Sequence, residues 1–260
     1  MKGSCRIALS GKGGTGKTAI SALLIEALIR EGGSPVLAVD ADPNANLNEA
    51  LGLPLGETLG SMREEAFTKS IPPGMSRTGY IEYRFQQVLV ESEGVDLLAM
   101  GRPEGTGCYC FANRLLSEAM DLLTRHYRFV VMDMEAGMEH FSRGTIGIPD
   151  ILLVVSDPGA RGVRTAGRIR ELAITLGIPD DRIHFVINRA GPAGAAGGIG
   201  PAAGSEPVLD PARILASIPD DPEVERADRE ARPIVSIPDG SPARQAVRGL
   251  GERIRSFCTG

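Results

Sequence analysis

Two groups of residues in this 260-residue chain have the types and spacing to do chemistry. The first is Gly11-Lys12-Gly13-Gly14-Thr15-Gly16-Lys17-Thr18, a G-x-x-x-x-G-K-T string set between an apolar strand pattern and a helical one. Glycines there let backbone N–H groups turn inward around an anion, and the following helix adds its positive end. The string therefore predicts a cradle for nucleoside triphosphate phosphates. Lys17 should reach the β- and γ-phosphates, the Thr18 hydroxyl should ligate Mg²⁺, and Ala19 completes the nucleotide contacts. The second group is Gly107-Cys108-Tyr109-Cys110-Phe111. Two cysteines at C-x-C spacing offer two thiolates to one soft ion. Zn²⁺ and thiolate-bound Ni²⁺ usually take four ligands, so a two-fold dimer would complete the set. A redox dithiol and a pair of packed cysteines are the competing readings; a C-x-C ring is strained, which disfavours the first.

Carboxylates follow the phosphate loop in sequence. Asp40-Ala41-Asp42-Pro43-Asn44 ends an apolar strand, at the edge where ligand sites of α/β sheets form, although Asp42 before Pro43 also suits an Asx turn. Phe129-Val130-Val131-Met132-Asp133 is a second apolar strand ending in Asp, the Walker B pattern, so Asp133 should contact Mg²⁺ through water; a helix cap is the alternative. Glu135 and Gly137 follow in what reads as a switch segment. Ile187-Asn188-Arg189 ends a later strand, and Ile218-Pro219-Asp220-Asp221 another. The three histidines, His126, His140 and His184, are isolated and read as structural; His140 is the least ordinary, being on the switch side.

The elements that must position these residues follow from periodicity. Strands are predicted at Arg6–Ser10, Val36–Asp40, Val95–Met100, Phe129–Asp133, Ile151–Ser156, Ile183–Asn188 and Ile214–Ile218. They are short and mostly apolar, as expected of strands covered on both faces. Helical stripes run through Ile20–Leu28, Leu115–Leu123, Val163–Leu176 and Ala243–Phe257, with a further helix over Tyr80–Val90. The alternation predicts an α/β fold: one P-loop NTPase domain over residues 1–260, a mostly parallel sheet with helices on both faces. Gly191–Pro207 has six Gly, five Ala and three Pro, which predicts a mobile surface loop.

Composition narrows the function classes. A formal charge of -5 disfavours a wide nucleic-acid grip. The chain opens directly into an apolar strand with no leader pattern, and the run Ile151–Val155 is too short to span a bilayer, so a cytoplasmic protein is expected. Four cysteines, two of them one residue apart, do not look like a disulfide framework; Cys5 and Cys258 read as bystanders.

Lys12 inside the loop makes the string resemble the deviant phosphate loop of the ParA, MinD and nitrogenase-iron-protein group of ATPases. That resemblance implies an ATP-dependent sandwich homodimer in which Lys12 crosses to the partner's nucleotide. It implies that Asp42 orients the attacking water and Asp40 supports the metal region. It also implies that Asn188 reads the base and that Pro219 and Asp220 close over it. The string from Gly101-Arg102-Pro103 through Cys108-Tyr109-Cys110-Phe111-Ala112-Asn113, with Asp133-Met134-Glu135-Ala136-Gly137-Met138-Glu139-His140 and Arg143-Gly144-Thr145, further resembles the CooC/AcsF-type ATPases that mature carbon monoxide dehydrogenase. The implied function is ATP-driven nickel insertion into a client enzyme, carbon monoxide dehydrogenase or acetyl-CoA synthase, with neither nucleic acid nor membrane as partner. The Gly191–Pro207 loop departs from that family's pattern beside Asn188. The competing functions are a ParA/MinD-like positioning ATPase acting on DNA or membrane, for which the tail offers Arg244, Arg248, Arg253 and Arg255, and an iron–sulfur reductase.

Overall fold

Apolar runs of five or six residues cannot leave either face in water, so they demand a central sheet with two covered sides. The computed structural model, which describes residues 4–61, 72–102, 110–138, 141, 146–191 and 209–259, has that arrangement. In chain order the elements are β1 (Cys5–Gly11), α1 (Lys17–Arg30), β2 (Val36–Asp40), α2 (Leu47–Leu51), α3 (Arg77–Val88), β3 (Leu89–Glu91), β4 (Val95–Ala99) and α4 (Cys110–Leu123). Then come β5 (Phe129–Asp133), β6 (Ile151–Ser156), α5 (Ala160–Thr175), β7 (Ile183–Ala190), β8 (Ile214–Pro219), α6 (Pro222–Arg229) and α7 (Pro242–Thr259).

The described strands form one eight-stranded sheet in the order β3-β4-β2-β5-β1-β6-β7-β8. Every pairing is parallel except β3 with β4. Strand alternation divides the apolar side chains between two cores. Ala8, Leu37, Val39, Val130, Met132, Leu152 and Val154 face one side with Phe85 of α3, Leu116 and Met120 of α4 and Val163 of α5. Ile7, Leu9, Val36, Ala38, Phe129, Val131 and Leu153 face the other with α1 and with Val247, Leu250 and Ile254 of α7. The register sets Asp40 of β2 beside Asp133 of β5, and Leu9 of β1 beside Asp133 on the other flank. The ends of β1, β2 and β5 thus converge where the phosphate loop begins.

Three features differ from the sequence expectations. The helix predicted over Tyr80–Val90 is α3, but it stops at Val88, and Leu89–Glu91 pairs antiparallel with β4 as an edge strand. Such a short strand carries no periodicity of its own, and its apolar residues extend the helical stripe in sequence. The short helices α2 and α6 are additional; in α6 the Asp221 carboxylate accepts the Glu223 N–H at 2.9 Å as a cap. Cys5 and Cys258 are not bystanders: they form a disulfide, with Cα atoms 5.8 Å apart. The end of α7 and the start of β1 meet because α7 lies along α1, where Arg255 pairs with Glu31 at 2.8 Å. Within the predicted mobile loop, residues 192–207 lie outside the described part of the chain.

The C-terminal arginines are largely engaged inside the fold. Arg244 is 5% exposed and pairs with Glu26 at 2.9 Å and Asp239 at 2.8 Å. Arg253 donates to the Leu215 carbonyl at 2.6 Å. No helix among the described residues is long and apolar enough to cross a membrane.

Candidate functional site

The chain leaves β1 through Gly11, whose φ of 154° and close approach to the Val155 carbonyl leave no room for a Cβ. It enters α1 through Gly16 at φ 87°, where a Cβ would collide with the Asn188 amide. α1 has Gly16 as its N-cap, no side-chain capping bond and no acidic residue in its first turn. Its first N–H groups are therefore oriented for an anion rather than claimed by a carboxylate. Thr15 braces the turn, its hydroxyl donating to the Lys12 carbonyl at 2.8 Å. These are features of a phosphate cradle.

Lys17 is buried, with Nζ 3.4 Å from the Gly11 carbonyl and 3.3 Å from that of Lys12. Burial pulls its pKa down, opposed by the charges of Asp133, Asp42 and Glu135. The Thr18 hydroxyl donates to Asp133 Oδ2 at 2.6 Å, and Ser21, one turn further along α1, donates to Oδ1 at 3.1 Å. Burial raises the Asp133 pKa to about 6 against those two hydrogen bonds. Asp40 reaches about 7 for the same first reason, with the Leu47 N–H opposing and Asp133 adding to the rise. Carboxylates crowded together out of water disfavour their own charge, and a divalent cation would remove that penalty. Thr18 and Asp133 thus fit a Mg²⁺ that would neutralise both the phosphates and the carboxylate.

Other predicted residues take distinct positions. Asp40 places both oxygens on backbone, accepting from Asp42 N at 3.0 Å and Leu47 N at 2.8 Å, so it shapes the loop that carries Asp42. Asp42 forms the Asx turn, accepting from Asn44 N at 2.8 Å, and remains within electrostatic reach of Lys17. Lys12, Gly13 and Gly14 are exposed at the rim, and Ala19 is half-buried in the first turn of α1. Asn188 lies against the loop, its Nδ2 donating to the Thr15 carbonyl at 2.8 Å. Asp220 N donates to the Ala190 carbonyl at 3.2 Å, and Pro219 pairs with Ala190, which brings the Pro219–Asp220 segment beside Asn188. Cys108 lies outside the described residues, and Cys110 is the first residue of α4. Among the described residues no group of three or more His, Cys, Asp or Glu is placed to hold a metal ion.

Sequence reasoning missed several residues of this neighbourhood. Ser21 could have been found, being three residues beyond Thr18 on one helical face. Ser10, fully buried, donates to the Gly137 carbonyl at 2.8 Å and so joins β1 to the segment after β5. Arg102 donates to Asn44 Oδ1 across 58 residues, and no local pattern announces it.

Fold and site together define a P-loop nucleotide-binding protein in which a Walker B aspartate faces the loop threonine. Residues 7–234 match the family model described as the CobQ/CobB/MinD/ParA nucleotide binding domain, and the chain belongs to that family of ATP-binding, ATP-hydrolysing proteins. An ATP-binding protein of Methanocaldococcus jannaschii is 38% identical over 258 residues, covering 95% of this chain and 97% of that one. The carbon monoxide dehydrogenase accessory protein CooC of Rhodospirillum rubrum is 36% identical, covering 92% of this chain and 91% of its own. Among solved structures, the septum site-determining protein MinD of Pyrococcus horikoshii complexed with Mg-ADP superposes with a TM-score of 0.69 at 25% identity, covering 96% of each chain.

Proposed function

We propose that this protein is a cytoplasmic maturation ATPase whose ATP-closed homodimer binds Ni²⁺ or Zn²⁺ between two Cys108/Cys110 pairs and assists nickel insertion into carbon monoxide dehydrogenase or acetyl-CoA synthase. The observation that carries this reading is the 36% identity, over nearly the whole chain, to a protein named as a carbon monoxide dehydrogenase accessory protein. The C-x-C spacing of Cys108 and Cys110 in the sequence supports the metal assignment.

In this reading ATP lies on the Gly11–Ala19 loop with Mg²⁺ at Thr18 and Asp133, while Asp40 sets the position of the Asp42 loop. Lys12, exposed at the rim, reaches the partner's nucleotide. Asp42 orients a water for attack on the γ-phosphorus, whose bond to the bridging oxygen breaks to yield ADP and phosphate. Asn188, Pro219 and Asp220 border the base. The bond from Arg102 to Asn44 ties the segment leading toward the cysteine pair to the loop that carries Asp42, a route by which closure would be felt at the metal. ATP then shifts the population toward a metal-competent dimer, and hydrolysis reopens it. Hydrolysis by the isolated protein is slow because the site waits for the second subunit.

The test is bound metal per dimer, with ADP and with ATP, for the native protein and a Cys108→Ala/Cys110→Ala variant. Equal Ni²⁺ and Zn²⁺ binding in both would remove the proposal. A second reading, a ParA/MinD-like positioning ATPase on DNA or membrane, draws on the likeness to MinD. The engagement of Arg244, Arg253 and Arg255 within the fold weighs against a tail that grips DNA or lipid. Sedimentation with DNA or liposomes in the presence of ATP separates the two.

A further inference from the structure

Successive side chains of a strand point to opposite faces of its sheet. Asn188 and Arg189 are consecutive at the end of β7, yet both reach the phosphate loop. Asn188 Nδ2 donates to the Thr15 carbonyl at 2.8 Å, and Arg189 Nη1 donates to the Gly14 carbonyl at 3.1 Å. The backbone explains how. Arg189 has a φ of 54°, in the left-handed region, and the β7–β8 register shifts between Ile187 and Ala190. That kink turns the second side chain back onto the side of the first.

A left-handed backbone is disfavoured for any side chain with a Cβ, and glycine is the residue that adopts it freely. Arginine occupies the position nonetheless, and its guanidinium lands on one of two consecutive loop carbonyls. In an anion-binding loop the N–H groups face the ligand and the carbonyls face away, so a donor on each outward carbonyl sets the orientation of its peptide plane. The Gly14 arm needs such a hold: Gly14 has φ 77°, and a Cβ there would meet nothing within 4 Å. Packing does not restrain it from that direction. Arg189 is always charged and adds a positive group at the loop's outer rim.

We infer that Arg189 is a positioning residue of the nucleotide site, pinning the Gly14 carbonyl as Asn188 pins that of Thr15, so that the loop is set before the phosphates arrive. The inference concerns nucleotide binding alone and holds whatever the client or metal.

Three variants of the full chain test it: Arg189→Gly, Arg189→Ala and Arg189→Lys. Dissociation constants for Mg-ATP and Mg-ADP, kcat, KM and thermal melting are measured for each. Arg189→Gly should melt no lower than the native protein, because the backbone is relieved, yet bind nucleotide up to about tenfold more weakly, because the Gly14 arm must then be ordered at the expense of binding. Its kcat at saturating ATP should stay within about twofold of native, the loss appearing in KM. Arg189→Ala should bind as weakly, and Arg189→Lys should recover part of the affinity. Native affinity in Arg189→Gly would overturn the inference. So would a weakening that tracks a lowered melting temperature across the three variants, or a fall in kcat with KM unchanged.

Discussion

The Thr18 hydroxyl donates to Oδ2 of Asp133 at 2.6 Å, which joins the first turn of α1 to the end of β5. Ser21 holds the other oxygen at 3.1 Å, so one helix face presents two hydroxyls to one buried carboxylate. The pairing prearranges a loop threonine and a strand aspartate side by side, where a single Mg²⁺ could be shared.

Thr18→Ala should therefore do two separable things. It removes a donor from a buried carboxylate and should lower unfolding stability by about 1–2 kcal/mol without Mg²⁺ or nucleotide. It also removes a metal contact and should slow Mg²⁺-dependent ATP hydrolysis by about 100-fold. Thr18→Ser should restore most of both. Urea titration and phosphate release measure the two effects, and a Thr18→Ala variant with native hydrolysis would refute the metal assignment.

Asp40 and Asp133 predict an unusual pH dependence. Their folded pKa values, about 7 and about 6, lie above the ordinary 3.8. The folded protein thus binds protons that the unfolded chain has already released, and stability must fall as pH rises through that range. In EDTA without nucleotide, the melting temperature should rise on going from about pH 8 to about pH 6. Asp133→Asn should flatten the trend, and Mg²⁺ with nucleotide should abolish it by favouring the charged carboxylates. Scanning calorimetry across that range decides the matter; a melting temperature that climbs with pH in EDTA contradicts it.

The Cys5–Cys258 bond closes nearly the whole chain, with a sequence separation of 253. Of the four cysteines, two should react with a thiol reagent in denaturant without reductant, and four with it. Reduction should lower the melting temperature, since chain-entropy arguments assign a loop of this size up to about 5 kcal/mol. Cys258→Ser should melt like the reduced native protein. Four reactive thiols without reductant would remove the bond from the account.

Much of the site is legible in the chain because it is local. Glycine spacing, a following lysine and threonine, and apolar strands ending in Asp133 and Asp40 mark the phosphate loop and its carboxylates, since each depends on short-range backbone geometry. The strand and helix periods likewise forecast seven of the eight strands in the described sheet; β3 was hidden because three residues cannot show a period.

What the chain does not disclose is set by distance and by competition between patterns. Asp40 read as part of the metal region, yet both its oxygens accept backbone N–H groups, a contest settled only when Leu47 folds back against β2. Two of the tail arginines that a DNA- or membrane-acting ATPase could have used, Arg244 and Arg253, find Glu26, Asp239 and the Leu215 carbonyl once α7 lies on α1 and β8. Cys5 finds Cys258 because the two chain ends are brought together there. Even the phosphate loop, plain in its own residues, is held by Asn188 and Arg189 from 173 and 175 residues away. Sequence by itself determined that this protein has a nucleotide cradle and a parallel sheet to carry it, because spacing and periodicity are local properties. That Asn188 and Arg189 brace that cradle beside the local Thr15 bond was decided by tertiary structure, because those contacts join elements distant in sequence.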